Sequence, residues 1–170
     1  AGSKDKTAYS SLNKGKYILK NIYVNHIRFF GKQLLIGSPS GVFVYSQNAA
    51  QPRLLLRGYS VLSSYHDVKA HQIWLGTFHR GILLLDERTW KPLSSLTRFS
   101  SLSDIPLIPV RSIIPYDAAT ILMAVDGAGV YAYDKKTCKT NLLLNTDGRP
   151  ENVLHGNGVY ALCKDHLGDL

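Results

Sequence analysis

Four stretches of the chain repeat one pattern. Leu34-Leu35-Ile36-Gly37 leads to Gly41-Val42-Phe43-Val44-Tyr45, and Ile73-Trp74-Leu75-Gly76-Thr77 leads to Gly81-Ile82-Leu83-Leu84-Leu85-Asp86. Ile121-Leu122-Met123-Ala124 leads to Gly129-Val130-Tyr131-Ala132-Tyr133-Asp134, and a fourth copy starts at Val159-Tyr160-Ala161-Leu162. Between Leu34, Ile73, Ile121 and Leu170 the steps are 39, 48 and 49 residues. Short strands recurring at that period mark a propeller blade or a comparable β-array, whose units bury their apolar faces only against one another. Any function then belongs to the array and not to one catalytic motif.

Each unit reads as four strands bounded by turn residues. The first strands are His26–Phe30, Leu62–Tyr65, Val110–Ile114 and Val159–Cys163. The second are the apolar runs that end near a glycine. The third open at Gly41, Gly81 and Gly129, where a tight reversal calls for a residue that tolerates positive φ. The fourth are Arg53–Leu56, Pro92–Leu96 and Asn141–Leu144. Leu83-Leu84-Leu85 and Leu142-Leu143-Leu144 are continuously apolar, the pattern of strands covered on both faces. Gly37 and Gly76 suit close approach of neighbouring sheets, with Ala124 as the small residue of the third copy. Asp86 and Asp134 end strands, where a carboxylate accepts hydrogen bonds from turn amides. The nearest thing to a helix, Ser100–Asp104, reads as a loop.

The expected fold is all-β: a partial β-propeller of about three four-stranded antiparallel blades plus the start of a fourth. Residues 1–24 form an N-terminal segment in which Lys16–Lys20 could be the outer strand of a preceding blade. Blade 1 occupies 25–60, blade 2 61–108 and blade 3 109–157, and 158–170 supplies the first strand of a truncated blade 4. Four blades of this repeat would need about 180 residues, so the 170-residue chain is expected to be part of a longer array. Its incomplete blade faces and sheet edges point to self-association.

The net charge of +8 raises the question of an anionic partner. The lysines and arginines are scattered over turns and strand ends, and no basic residues alternate with aromatics as a base-stacking groove needs, so no nucleic-acid role is expected. No apolar run reaches the roughly 18 residues of a membrane-spanning helix. Cys138 and Cys163 match no zinc or redox spacing; Cys163 reads as a small buried residue of an apolar strand, and whether the two pair stays open.

The residues at 73–77, Gly81 and the strand closing on Asp86 resemble the two-component regulator propeller repeat. Asp165-His166-Leu167-Gly168-Asp169-Leu170 resembles the lead-in to a further copy. The first copy lacks the Trp, and the third has Leu122-Met123-Ala124-Val125 in place of Trp-x-Gly-Thr. The resemblance covers roughly Asn25 to Leu170. It implies the periplasmic region of an inner-membrane hybrid two-component sensor, in which propellers perceive an oligosaccharide and a histidine kinase and response regulator relay the signal. The remaining propeller blades of the full-length chain would be partners.

No His-Glu-x-x-His or Gly-x-Ser-x-Gly pattern occurs, and Asp126-Gly127-Ala128-Gly129 joins two strands and not a strand to a helix, so its phosphate-cradle reading fails. No catalytic residue, metal site or cofactor is therefore expected. The turns between second and third strands share one end of the array. They single out Phe78, His79, Arg80 and Asp126 as ligand-binding candidates: an aromatic surface, two nitrogen-bearing side chains and a carboxylate, the mix that holds sugars on loops. The plainer reading makes them ordinary exposed turn residues. The sequence thus points to a non-enzymatic, ligand-sensing propeller fragment. A propeller-type polysaccharide lyase or glycosidase fragment, or a protein-interaction scaffold, are the alternatives.

Overall fold

The computed structural model describes residues 22–46, 49–93, 97–147 and 153–170. The expected strand Lys16–Lys20 and residues 94–96 of the expected strand Pro92–Leu96 lie outside the described residues.

Among the described residues, eleven strands form three antiparallel sheets that meander in chain order and do not close into a ring, a partial β-propeller. The first sheet contains β1 (His26–Phe30), β2 (Gln33–Ser38), β3 (Gly41–Ser46) and β4 (Arg53–Arg57). The middle sheet contains β5 (Val61–Asp67), β6 (Gln72–Thr77) and β7 (Ile82–Asp86). The third contains β8 (Val110–Pro115), β9 (Thr120–Val125), β10 (Gly129–Asp134) and β11 (Lys139–Leu144). Among the described residues the middle sheet has three strands, and beyond β7 Pro92 makes an isolated antiparallel bridge to Leu85. Proline has no amide hydrogen to donate to a ladder, which suits it to such an edge.

The sheets stack face to face. Leu35, Val42 and Val44 of the first meet Ile73, Leu75, Leu83 and Leu85 of the middle sheet. Trp74, Ile82 and Leu84, pointing the other way, meet Ile121, Met123 and Tyr133 of the third. Alternate residues of one strand thus enter two different cores, and every residue of β6 is buried. That is why Ile73-Trp74-Leu75 is apolar without alternation. The Trp74 ring lies 5.1 Å from that of Tyr133 and 6.5 Å from that of Phe99.

Small residues set the spacing. A Cβ added at Gly76 would stand 2.6 Å from the Val110 carbonyl oxygen of the next sheet, and one at Gly37 2.9 Å from that of Val61. The repeat extends to irregularities. β5 and β8 carry a bulge at matching positions (Leu62 and Arg111), as do β4 and β11 (Leu55 and Leu143). Asp86 accepts hydrogen bonds from the amides of Arg88 and Thr89, and Asp134 from those of Lys136 and Thr137. These bonds hold both exposed carboxyls below their usual pKa.

Four expectations need correction. Ser100–Asp104 is not a loop but part of a 3-10 helix, Thr97–Asp104. Phe99, Leu102 and Ile105 recur every third residue, the 3-10 period, so one side enters the core between the middle and third sheets. The run Leu142-Leu143-Leu144 is not covered on both faces: Leu142 and Leu143 are exposed, because β11 is the outer edge of its sheet. Val159–Cys163 pairs with no strand among the described residues. It runs into a turn in which Asp165 accepts bonds from the amides of Leu167, Gly168 and Asp169. Accordingly Cys163 is exposed and not buried, and both thiols are free.

Candidate functional site

The turns between second and third strands lie at one end of the stacked sheets. In the middle sheet Thr77 shapes the turn. Its buried hydroxyl donates to the Gly81 carbonyl (2.9 Å) and accepts from the Arg80 amide (2.9 Å). The Phe78 amide is tied to the Ser60 carbonyl at 2.8 Å. Gly81 closes the turn at φ +60°, where a side chain would be strained. Ser38 plays the part of Thr77 in the first sheet, donating to the Gly41 carbonyl at 3.0 Å. The Thr of the Trp-Leu-Gly-Thr motif is therefore a turn staple, and it pushes Phe78, His79 and Arg80 outward.

These three residues form one exposed group. The Phe78 and His79 rings stand edge to face at 5.9 Å. The Arg80 guanidinium carbon lies 4.9 Å from the centre of the Tyr59 ring, on the connection that enters β5. Two shallow clefts flank Arg80. One, of about 340 Å³, is floored by Ile82, Phe99 and Leu102 and bordered by Ser100 and Ser103. The other, of about 280 Å³, lies against Tyr59, Ile82 and Leu83. Leu107, 68% exposed, borders both.

Asp126 occupies the matching turn of the third sheet, its amide bonded to the Pro109 carbonyl as that of Phe78 is to Ser60. Its carboxylate is engaged elsewhere. One oxygen, Oδ2, accepts from both Nε (3.1 Å) and Nη2 (3.0 Å) of Arg111. Arg111 is the bulged residue of β8, and bulges re-aim a side chain at a sheet rim. The Tyr160 ring covers its guanidinium at 5.3 Å. Of the four sequence candidates, the structure thus brings Phe78, His79 and Arg80 together and places Asp126 in a separate Arg111–Asp126–Tyr160 cluster at the same end. Sequence reasoning missed Tyr59, Leu107, Arg111 and Tyr160. Only the position of Tyr59, one residue before the segment that pairs with the Phe78 turn, could have drawn attention.

The opposite end is held by ion pairs. Lys135 reaches buried Asp67 at 2.9 Å and ties the middle sheet to the third. Glu87 lies 3.0 Å from both His66 and His71. Arg88 can only donate, so its 3.0 Å contact makes His71 Nε2 the acceptor and leaves the ring proton on Nδ1, facing Glu87. That bond holds the Glu87 carboxyl below its usual pKa. Among the described residues, no group of three or more His, Cys, Asp or Glu side chains is arranged to hold a metal ion.

No protein-family profile and no curated protein sequence matches the chain. Solved structures do. The extracellular domain of BT4673 from B. thetaiotaomicron, described as a hybrid two-component system, superposes with a TM-score of 0.68 at 17% identity, over 87% of this chain and 20% of that one. That of BT3049 from the same organism, also described as a hybrid two-component system, gives 0.66 at 15% identity, over 89% and 21%. Sqt1 of Saccharomyces cerevisiae gives 0.54 at 15%, over 72% and 35%. The chain spans about a fifth of the length of the bacterial domains it matches. At such identities the likeness is one of fold, and the same fold in a yeast protein underlines that architecture does not carry function with it. No helix among the described residues is long and apolar enough to cross a membrane.

Proposed function

We propose that the chain is a ligand-sensing, extracytoplasmic stretch of propeller from a hybrid two-component sensor. It lies in the periplasm as part of an inner-membrane protein and contributes to perception of a glycan-derived oligosaccharide. The observation that carries this reading is the superposition on two bacterial extracellular sensor domains over 87% and 89% of the chain. The Trp-Leu-Gly-Thr motif at 74–77 supports it as well, since it resembles the two-component regulator propeller repeat. In this reading the chain performs no chemistry of its own. A histidine kinase and response regulator elsewhere in the protein produce the output by phosphorelay.

The loop end suits such a role. Phe78, His79 and Tyr59 offer ring faces on which a sugar can stack, and Arg80 offers donors for its oxygens. The turn beneath is pinned by the buried Thr77 hydroxyl, so the group is ordered before ligand arrives and little is lost in ordering it on binding. The experiment is calorimetry of the complete extracytoplasmic region against a panel of neutral and acidic oligosaccharides. Saturable binding of at least one is the expected result; silence across the panel refutes the reading. Turnover of a polymeric glycan by the same protein would favour a lyase or glycosidase instead, and a protein partner recovered without any glycan binding would favour a scaffold.

A further inference from the structure

Two arginines stand at the loop end, each lying over a tyrosine. Arg111 lies over Tyr160 and Arg80 over Tyr59. Arg111 is neutralised by Asp126 through two contacts to one carboxylate oxygen. Arg80 has no such partner: among the described residues no carboxylate lies within ion-pair distance of its guanidinium. The difference is written into the turns. Asp126 and Phe78 are matching residues, each with its amide bonded to the carbonyl that precedes the inner strand of its sheet. Where the third sheet supplies a carboxylate, the middle sheet supplies an exposed phenyl ring.

The Tyr59 ring holds the guanidinium by a cation–π contact, but it offers the five N–H donors no anionic acceptor. Arg80 borders the two clefts, whose other walls are apolar at Ile82, Phe99, Leu102 and Leu107 and polar at Ser100 and Ser103. An occupant must match both features: an anionic oxygen group for the fork, and an apolar ring face for the walls. A hexose ring carrying a carboxylate or a sulfate has that combination. A neutral sugar leaves the charge of Arg80 unanswered.

We infer that Arg80, seated on Tyr59 between the two clefts, is the recognition point for an acidic sugar, one bearing a carboxylate or sulfate group. The inference rests on the ligand-sensing reading and narrows it to a charge class. Charge-assisted hydrogen bonds contribute more than neutral ones, and those of a guanidinium to a carboxylate or sulfate are directional as well. Losing them is expected to weaken binding about tenfold to a hundredfold.

The test compares matched probes on the intact protein carrying this chain. Trigalacturonate and its methyl ester form one pair; a sulfated chondroitin disaccharide and its desulfated, carboxyl-reduced counterpart form the other. Calorimetry is expected to show one acidic member binding at least about tenfold more tightly than its neutral partner, with affinity falling as salt rises. The pair that shows the difference identifies carboxylate or sulfate as the group read. Arg80→Gln is expected to erase the difference between acidic and neutral members while leaving the melting temperature in place. Arg80→Lys is expected to retain only part of it, because a lysine cannot form the planar fork. Lys136→Gln, which removes the same charge from a turn at the opposite end, is expected to change nothing. Equal affinity for acidic and neutral members, or an acidic preference that survives Arg80→Gln, overturns the inference. If neutral glycans bind under those conditions, ligand sensing stands without it; if no glycan binds, both fall.

Discussion

Gly76→Ala is the sharpest probe of how the sheets are held together. The added Cβ would meet Ser63 Oγ at 2.2 Å, the Val110 carbonyl oxygen at 2.6 Å and Val110 Cβ at 3.0 Å. The second obstacle is backbone of the next sheet and yields only if the sheets part. Overpacking of this kind costs about 1–3 kcal/mol. Displacing Ser63 also breaks its 2.9 Å bond to the Val110 carbonyl, about 1 kcal/mol more. Gly76 has no positive φ, so alanine meets no backbone strain. By propensity alone it would stabilise a strand by about 0.5–1 kcal/mol. The expected net loss is therefore about 1–3.5 kcal/mol. Gly37→Ala faces milder contacts, 2.9 Å and 3.0 Å to Val61, and is expected to cost about 1 kcal/mol. Urea unfolding followed by tryptophan fluorescence reads both, since Trp74 lies in the core between the middle and third sheets. Ser63→Ala in the Gly76→Ala background is expected to restore part of the loss by removing the nearest obstacle. A Gly76→Ala midpoint equal to or above that of the parent, or a larger loss at Gly37, refutes the account of the sheet spacing.

Three further outcomes are expected. Lys135→Met leaves the Asp67 carboxylate buried with, among the described residues, the Ala70 amide at 3.1 Å, and should cost about 2–3 kcal/mol in thermal unfolding at neutral pH, toward the low end for breaking a buried pair because Lys135 is partly exposed; no loss would show that the pair contributes nothing. Burial, assisted by the nearby Arg28, lowers the pKa of His26 below 6.5, so the unfolded chain takes up that proton first. Stability should consequently fall as pH drops below 6.5 and level off once the lower folded-state value is passed. His26→Gln should flatten that window, and an unchanged slope would exclude His26 as its source. The outer face of β1 leaves Ile27 62% and Phe29 73% exposed, so the chain should self-associate in sedimentation at high concentration, and Phe29→Lys should reduce this. A monodisperse parent would contradict it.

The site was less legible than the fold. Phe78, His79 and Arg80 could be singled out because consecutive residues of a tight turn must share its exposed tip. Asp126 was singled out by the same logic and turned out to be committed to Arg111, a pairing made by a bulge that moves Arg111 out of strand register. Nothing in the sequence marks that extra residue. Tyr59 and Leu107 lie in connections whose course depends on how neighbouring sheets stack.

Local order was written in the chain itself. Recurring apolar runs, glycines at the reversals and aspartates at strand ends prescribe strands and turns through φ limits and amide hydrogen bonding, which act between near neighbours. Burial was decided only by assembly. Ile73-Trp74-Leu75 and Leu142-Leu143-Leu144 look alike as sequence, yet the first is enclosed because sheets cover both of its faces, and Leu142 and Leu143 of the second are exposed because the run forms an edge. Which face of a strand meets another sheet, and which arginine keeps a carboxylate, depend on residues distant in the chain, and only the folded arrangement brings those residues together.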